Sequence, residues 1–232
     1  MRIKYLFPII LFLFMLVSSS HGLMLIAGNT ASTGGASCSS DSFTDSDSTA
    51  LATHDSNWTQ VNATYPIANL EINSNLCEPT GEYVLASAYY DDATCGTGDA
   101  YSKGTTWDKD DGSRTMNICT RMSADHLGYC ADLSLPSAGE WTRLTFYRDG
   151  TQISYQDGFT LPQNTTYTIY LKAVTNGSQV DLSAWIDSTA GAADATYSDT
   201  NAARLLTGCS GIESRTSSSY VPTIDDWSNC PW

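Results

Sequence analysis

Basic residues are scarce in this chain of 232 residues. Its 11 lysines and arginines stand against 25 aspartates and glutamates, which gives a formal net charge of −14 at pH 7. A surface with this excess of negative charge repels the phosphates of nucleic acids and the headgroups of anionic lipids. The composition therefore excludes nucleic acid as a partner.

Long apolar runs are absent except at the N-terminus. Arg2 and Lys4 precede an apolar run over residues 5–17, which serines and a glycine follow. This order is typical of a secretory signal peptide, and the run is shorter than the ~20 residues that a membrane-spanning helix needs. We predict a signal peptide over residues 1–22 and a secreted or cell-surface protein without a membrane span after cleavage. Because residues 23–27 are apolar again, an uncleaved N-terminal anchor stays an alternative.

Helical periodicity is missing from the rest of the chain. Short runs that alternate apolar and polar residues recur between turn residues instead, which is typical of all-β sandwiches and barrels. Residues 28–42 are rich in glycine, serine and threonine and predict a flexible lead-in over residues 23–40. The remaining residues 41–232 suffice for one all-β domain with a sizeable core.

Three β-hairpins are the clearest local predictions, at residues 117–133, 141–155 and 166–187. Asp149-Gly150 and Asn176-Gly177 are favoured hairpin turns. They interrupt the second and the third of these segments, respectively, where the chain reverses direction. The hairpin at residues 117–133 places Cys119 and Cys130 on neighbouring strands. A disulfide bond joins them if the register sets them opposite each other.

Cys-x-x-Cys pairs are absent, and no cysteine stands near a histidine at metal-ligand spacing. In an exported chain the cysteines therefore predict disulfide bonds. Their number is odd, so at least one thiol is free, buried or bonded to another chain. A homo-oligomer linked through this odd cysteine or through the N-terminal segment is one reading. The seven cysteines are Cys38, Cys77, Cys95, Cys119, Cys130, Cys209 and Cys230.

Short motifs mark the beginning and the end of the predicted domain. The opening motifs are Asp41-Ser42-Phe43-Thr44-Asp45, Thr49-Ala50-Leu51, His54 and Asn57-Trp58-Thr59; the closing motifs are Ser210-Gly211-Ile212 and Thr223-Ile224-Asp225-Asp226-Trp227. The order of these motifs resembles the concanavalin A-like lectin and glucanase family, which includes the laminin-G-like jelly rolls. The resemblance spans roughly residues 41–229 and implies a two-sheet antiparallel jelly-roll sandwich whose first and last strands lie side by side. It also implies a Cys38–Cys230 bond, and it leaves the pairing of Cys77, Cys95 and Cys209 open.

Polar-face residues of the hairpin at residues 166–187 form the candidate ligand site. Tyr170, Lys172 and Trp185 alternate there with core residues, and Tyr147 is a further candidate for the same sheet. Sugar rings stack on exposed tryptophan and tyrosine, while nearby polar groups hydrogen-bond to the sugar hydroxyls. Loops that cover this face would turn the same residues into ordinary packing, and the sequence leaves both readings open.

Clustered aspartates at the two ends of the domain suggest a cation site. By the family resemblance, a structural calcium ion would lie between early and late strands and would draw on Asp41, Asp45, Asp225 or Asp226. Carboxylate oxygens in loops are the ligands that calcium prefers. The alternative is that one of the paired aspartates caps a turn while the other faces water. No other cofactor is predicted.

Catalytic signatures are missing. Glycoside hydrolases need two carboxyl groups across the scissile bond, and none of the five glutamates lies in a Glu-x-Asp-x-x-Glu arrangement. No serine lies in a Gly-x-Ser-x-Gly turn. We therefore predict no catalytic residues and a non-catalytic extracellular module that binds carbohydrate or a cell-surface protein. Two alternatives remain: a structural subunit of an extracellular fibre, appendage or virion, and a divergent glycan hydrolase or lyase.

Overall fold

The computed structural model describes residues 38–61, 68–81, 85–92, 95–96, 99–107, 116–134, 142–162, 165–215 and 221–231. The predicted signal peptide and most of the predicted lead-in lie outside these residues, so both stay predictions. Within the described ranges, no helix has the length and apolar character needed to cross a bilayer.

Strands dominate the described chain, which contains a single helix of four residues. In chain order the elements are β1 (Ser39–Asp41), β2 (Thr49–Ala50), α1 (Leu51–His54), β3 (Trp58–Gln60), β4 (Leu70–Asn73), β5 (Leu76–Pro79), β6 (Leu85–Tyr90), β7 (Ala100–Trp107), β8 (Asn117–Met122), β9 (Tyr129–Ser134), β10 (Thr142–Arg148), β11 (Thr151–Phe159), β12 (Thr166–Asn176), β13 (Gln179–Ile186), β14 (Ala195–Asp199), β15 (Cys209–Arg215) and β16 (Thr223–Pro231).

These strands form two antiparallel sheets that pack face to face. The nine-stranded sheet has the order β14-β13-β12-β7-β16-β5-β4-β2, with β1 paired to β16, and the seven-stranded sheet has the order β11-β10-β9-β8-β15-β6-β3. The predicted all-β, two-sheet jelly-roll sandwich is therefore confirmed. The sandwich follows from the local sequence. Buried and half-buried residues alternate along strands such as β12 and β13, and this alternation gives each sheet one apolar face.

All three predicted hairpins are present. β12 pairs with β13 around Gly177, β10 pairs with β11 around Asp149-Gly150, and β8 pairs with β9. The backbone of Asp149 has a φ of 46° and that of Gly150 a φ of 80°, the left-handed conformation that a tight hairpin turn of this type requires. At the ends of the chain, β1 pairs with β16 in the register Ser39 to Asn229, so the first and last strands lie side by side as the resemblance implies.

Three disulfide bonds hold the sandwich together. Cys119 lies directly opposite Cys130 in the β8–β9 register, and the two are bonded. The terminal bond Cys38–Cys230 is also present, and it joins residues 192 positions apart. The pairing that the sequence left open is Cys95–Cys209.

Cys77 is the one free thiol among the seven cysteines, and its side chain is fully buried on β5. Burial, with the charges of Asp41 and Glu78, raises the pKa of this thiol well above its usual value. A buried, protonated thiol cannot reach a neighbouring molecule. The reading in which an odd cysteine links subunits is therefore wrong for the folded protein, and the N-terminal route to a homo-oligomer lies outside the described residues.

An aromatic cluster closes one end of the core beside the joined termini. The ring centroid of Trp58 lies 4.8 Å from that of Trp227 and 5.1 Å from that of Tyr90, and Phe43 packs on Trp58 at 5.9 Å. Trp227 reaches this cluster because a bulge between Asp225 and Ser228 turns β16 by one residue against β7.

A buried carboxylate links the two sheets at another point. Asp199 on β14 of the nine-stranded sheet accepts a hydrogen bond from the hydroxyl of Tyr129 (2.7 Å) and two from Nη1 of Arg148 (2.9 and 3.0 Å). Tyr129 and Arg148 belong to the seven-stranded sheet. The backbone amide of Asn201 donates a further bond to Asp199 (3.0 Å). Because Asp199 is 1% exposed, its charge depends on these partners rather than on water.

Candidate functional site

The outer face of the nine-stranded sheet carries aromatic and cationic side chains on three adjacent strands. Tyr170 on β12 lies opposite Trp185 on β13 and opposite Lys103 on β7, while Lys172 lies opposite Tyr101. Their strand neighbours Ile169, Leu171 and Ala184 are buried in the core, so the alternation directs these five side chains outward. We call this set, Tyr101, Lys103, Tyr170, Lys172 and Trp185, the aromatic face.

Each side chain of the aromatic face is half-buried, so the rings are neither in the core nor fully open. The rings of Tyr101 and Tyr170 lie with their centroids 5.9 Å apart at an interplanar angle of 35°. Burial, followed by the proximity of Tyr170, raises the pKa of Tyr101 to about 12. Burial also lowers the pKa of Lys172, and the charge of Asp99 opposes this change. The surface is thus partly desolvated, which strengthens stacking and charge contacts made there.

An open groove of about 570 Å³ borders the aromatic face at the β13–β14 edge. Ser183 lies between Lys172 on one neighbouring strand and Thr196 on the other, so the groove and the aromatic face are continuous. Asp181 accepts hydrogen bonds there from Ser198 (2.6 Å), Gln179 (2.7 Å) and Asn176 (2.8 Å). These bonds, that of Ser198 first, lower the pKa of Asp181 and keep it ionised. The groove therefore offers hydroxyl, amide and carboxylate groups beside a stacking surface. Its lining residues are Gln179, Asp181, Leu182, Ser183, Thr196, Tyr197 and Ser198.

Tyr147 does not belong to the aromatic face. It lies on β10 of the seven-stranded sheet and is 6% exposed, within an apolar cluster that includes Cys119 and Cys130. The guanidinium carbon of Arg215 lies 4.2 Å from the centroid of its ring. The prediction that Tyr147 shares a ligand surface with Tyr170 and Trp185 is corrected here, because its strand belongs to the opposite sheet.

The four aspartates predicted to bind calcium are used differently. Oδ1 of Asp41 lies 2.9 Å from Nε2 of His54 and accepts a bond from the amide of Phe43 (2.7 Å). Its Oδ2 accepts a bond from Nε1 of Trp58 (2.6 Å), and Nδ1 of His54 lies 3.3 Å from Oδ2 of Asp45. The histidine ring thus stands between the two carboxylates. Both oxygens of Asp41 therefore accept hydrogen bonds from protein groups.

The other two aspartates lie at the bulge in β16. Asp226 is exposed with a φ of 50°, and its amide donates to Oδ1 of Asp225 (2.8 Å). Burial and the charge of Asp226 raise the pKa of Asp225. In the described ranges, the single cluster with metal-ligand spacing is Asp91, Cys95 and Cys209, whose two sulfurs form a disulfide bond. The four aspartates Asp41, Asp45, Asp225 and Asp226 are therefore not gathered into the predicted calcium site.

A polar row that the sequence analysis missed crosses the outer face of the seven-stranded sheet. Glu213 on β15 lies opposite Asn117 on β8, and Asp132 on β9 follows in the same row, all fully buried. Glu213 accepts bonds from Nε of Arg215 (2.6 Å) and Nδ2 of Asn117 (2.9 Å). Because neighbouring strands lie ~4.8 Å apart and β8 lies between β15 and β9, the backbones that carry Glu213 and Asp132 are about 10 Å apart. A search for acidic residues close together in one strand could not find a pair divided between two strands.

Sequence comparisons with protein-family models and with curated proteins find no match for this chain. Solved structures do match. The carbohydrate recognition domain of Emp46p, in its metal-free form, aligns with a TM-score of 0.50 and 10% identity over 82% of this chain and 93% of that domain. The apo Crh5 transglycosylase aligns with a TM-score of 0.50 and 12% identity over 85% of each chain. A sialidase aligns with a TM-score of 0.52 and 11% identity over 85% of this chain and 19% of its own. At such identities the likeness concerns architecture alone, that of a two-sheet antiparallel β-sandwich.

Proposed function

We propose that this protein is a non-catalytic extracellular module that binds carbohydrate through the aromatic face and the adjoining groove. The observation that carries the proposal is the row of Trp185, Tyr170 and Lys103 on adjacent strands of one outward-facing sheet surface. Carbohydrate recognition needs a flat apolar surface for sugar C–H groups beside polar groups for hydroxyls. The aromatic face supplies the first, and the groove supplies the second.

Two further observations support the proposal. The carbohydrate recognition domain of Emp46p has the same architecture, although fold alone does not transfer a function. The three disulfide bonds are typical of proteins that fold outside the cytosol, where glycans of cell surfaces and matrices are met.

Binding to a glycan array, followed by affinity measurements on the best ligands, tests the proposal. Trp185→Ala and Tyr170→Ala are each expected to weaken binding about tenfold or more, because central aromatic anchors dominate such interfaces. Tyr155→Ala is the matched control, since Tyr155 is an exposed tyrosine on the seven-stranded sheet. Circular dichroism verifies that each variant is folded. The proposal fails if no glycan binds, or if the Tyr155 variant loses as much affinity as the other two.

A further inference from the structure

Lysines are concentrated on the aromatic face of an otherwise acidic protein. The whole chain has four lysines, at positions 4, 103, 109 and 172, against 25 acidic residues. Two of the four, Lys103 and Lys172, lie on this one surface. In a chain of net charge −14, two lysines among the aromatic rings of one sheet form an unusual local concentration of positive charge.

The structure uses its other cations differently. Four of the five described arginines form ion pairs with carboxylates: Arg121 with Asp99, Arg143 with Asp157, Arg148 with Asp199, and Arg215 with Glu213. Lys103, in contrast, has no ion pair or hydrogen bond with any residue that the structure describes. Within the described part of the chain, its charge is therefore not committed to an ion pair, which leaves it available to a ligand.

The register places the cations and rings in a checkerboard. Tyr101 and Lys103 alternate along β7, and Lys172 and Tyr170 lie opposite them on β12. Opposite residues of antiparallel strands lie ~5 Å apart and next-nearest residues on one strand ~7 Å apart. Tyr101 and Tyr170 therefore each have one lysine opposite them on the neighbouring strand and the other lysine two residues away on their own strand. A sugar ring stacked on either tyrosine would bring its substituents within reach of a lysine.

Carboxylates at the margin of this surface are engaged by the fold. Asp99, whose charge acts on Lys172, accepts a bond from the amide of Thr175 (2.7 Å) and pairs with Arg121. Asp187 accepts a bond from the amide of Thr168 (2.9 Å), and Asp194 accepts one from the amide of Ile186 (2.8 Å). Asp181 accepts the three bonds described above. These acidic groups hold turns and strand edges in place. They also add to the general negative potential, which repels an anionic chain as it repels nucleic acid, so an anionic ligand finds a favourable charge contact only beside the lysines.

We infer that the glycan bound by the aromatic face is anionic, with a carboxylate or sulfate group that pairs with Lys103. This inference rests on the proposed carbohydrate-binding function and narrows its ligand class to uronic-acid-containing or sulfated polysaccharides. An ammonium group in a partly desolvated site gains more from an anion than one in bulk water does. Burial of Lys172, which lowers its pKa, is consistent with such a site.

Matched pairs of polysaccharides test the inference. The pairs are polygalacturonate with its fully methyl-esterified form, hyaluronan with its carboxyl-reduced form, and a sulfated galactan with its desulfated form. Affinity electrophoresis and calorimetry are expected to show at least one anionic member that binds about tenfold or more tightly than its neutral partner, with affinity that falls as salt rises. Preference for a carboxylate pair or for the sulfate pair identifies the anionic group.

Variants of Lys103 distinguish the contribution of its charge from that of the aromatic face. Lys103→Gln is expected to bring anionic binding to within about threefold of the neutral partner, whereas Lys103→Arg is expected to retain most of it. Arg143→Gln makes the same charge change on the other sheet and is expected to leave binding unchanged. Equal binding of both members in every pair, or an unaffected Lys103→Gln variant, overturns the inference. If neutral members still bind and depend on Trp185, the carbohydrate-binding proposal survives that result. If no glycan binds, both proposals fall.

Discussion

Asp199 is the residue whose removal should reveal how the two sheets are held together. Its carboxylate is almost fully buried and accepts bonds from Tyr129 and Arg148 of the seven-stranded sheet, although Asp199 itself lies on the nine-stranded sheet. The substitution Asp199→Asn keeps the shape of the side chain and removes its charge. Arg148, whose side chain is 16% exposed, is then left without a counter-ion.

The expected loss follows from this geometry. Breaking a buried ion pair by removing one partner costs about 3 to 5 kcal/mol, because the remaining charge is not solvated. Arg148 retains some access to water, so we expect the lower end, about 3 kcal/mol of unfolding free energy. A domain of about 200 residues shifts its melting temperature by about 2 to 4 °C per kcal/mol, which predicts a decrease of about 6 to 12 °C.

Asp181→Asn is the matched control. Asp181 lies on the neighbouring strand β13 of the same sheet and also accepts several hydrogen bonds, but its side chain borders solvent. Exposed carboxylates contribute about 1 kcal/mol or less. Urea unfolding of the oxidised protein, followed by tryptophan fluorescence and circular dichroism, gives both values. Equal losses in the two variants, or a loss below about 1 kcal/mol for Asp199→Asn, would refute the assignment of Asp199 as a buried link.

The difference in stability between wild type and Asp199→Asn should also depend on pH. Burial raises the pKa of Asp199, but the bonds from Tyr129, Asn201 and Arg148 outweigh it, so the folded-state pKa is lowered overall. A lowered carboxyl pKa means that the stabilisation is present above the unfolded-state pKa of about 3.9 and is lost as pH falls through the folded-state pKa. The stability difference between wild type and Asp199→Asn should therefore persist from pH 7 to about pH 4 and narrow below that.

Two other predictions concern the joined termini. Replacing both Cys38 and Cys230 with alanine should lower the free energy of unfolding by about 5 kcal/mol on the chain-entropy estimate, and replacing Cys119 and Cys130 should lower it by about 3 kcal/mol. The difference arises because the first bond spans 192 residues and the second spans 11. A larger loss for the second pair in denaturant titrations would contradict the entropic account. His54 should stabilise the protein at acidic pH: burial lowers the pKa of His54, but the bonds to Asp41 and Asp45 outweigh it and leave the pKa raised. This stabilisation is present below about pH 6.5 and is lost as pH rises through the folded-state pKa of His54. The difference in unfolding free energy between wild type and His54→Gln should therefore be larger at pH 5 than at pH 9. Equal differences at both pH values would exclude the ion pairs.

The sandwich was predictable because its evidence is local. Alternation along residues 166–187 marks two strands and their core faces, and Asn176-Gly177 marks the turn between them. Register then follows from the turn, which is why Cys119 and Cys130 could be paired from the sequence. The same reasoning anticipated that Tyr170 and Trp185 share a face, and the structure places them opposite each other.

What was missed depends on contacts between distant segments. Alternation assigns a side chain to a face of its strand but does not say which sheet the strand joins, and so Tyr147 was grouped with the wrong surface. The aspartate pairs resemble cation ligands only while their neighbours are ignored. In the fold, the amide of Phe43 and the indole of Trp58 donate to the two oxygens of Asp41, and a carboxylate with protein donors on both oxygens has little capacity left for calcium.

The contrast between the two outer faces also bears on the catalytic alternative. Glu213 and Asp132 are acidic residues in one row, on strands whose backbones lie about 10 Å apart, and inverting glycosidases hold their two carboxyl groups about 6.5 to 9.5 Å apart. Catalysis requires both groups to reach a sugar, yet each is fully buried and Glu213 holds Asn117 and Arg215 in place. The outer face of the nine-stranded sheet is half-open and has rings and an uncommitted cation. The proposed recognition requires no rearrangement of the fold, because accessible rings and charges can engage a ligand directly, whereas hydrolysis by Glu213 and Asp132 would require both carboxylates to become exposed.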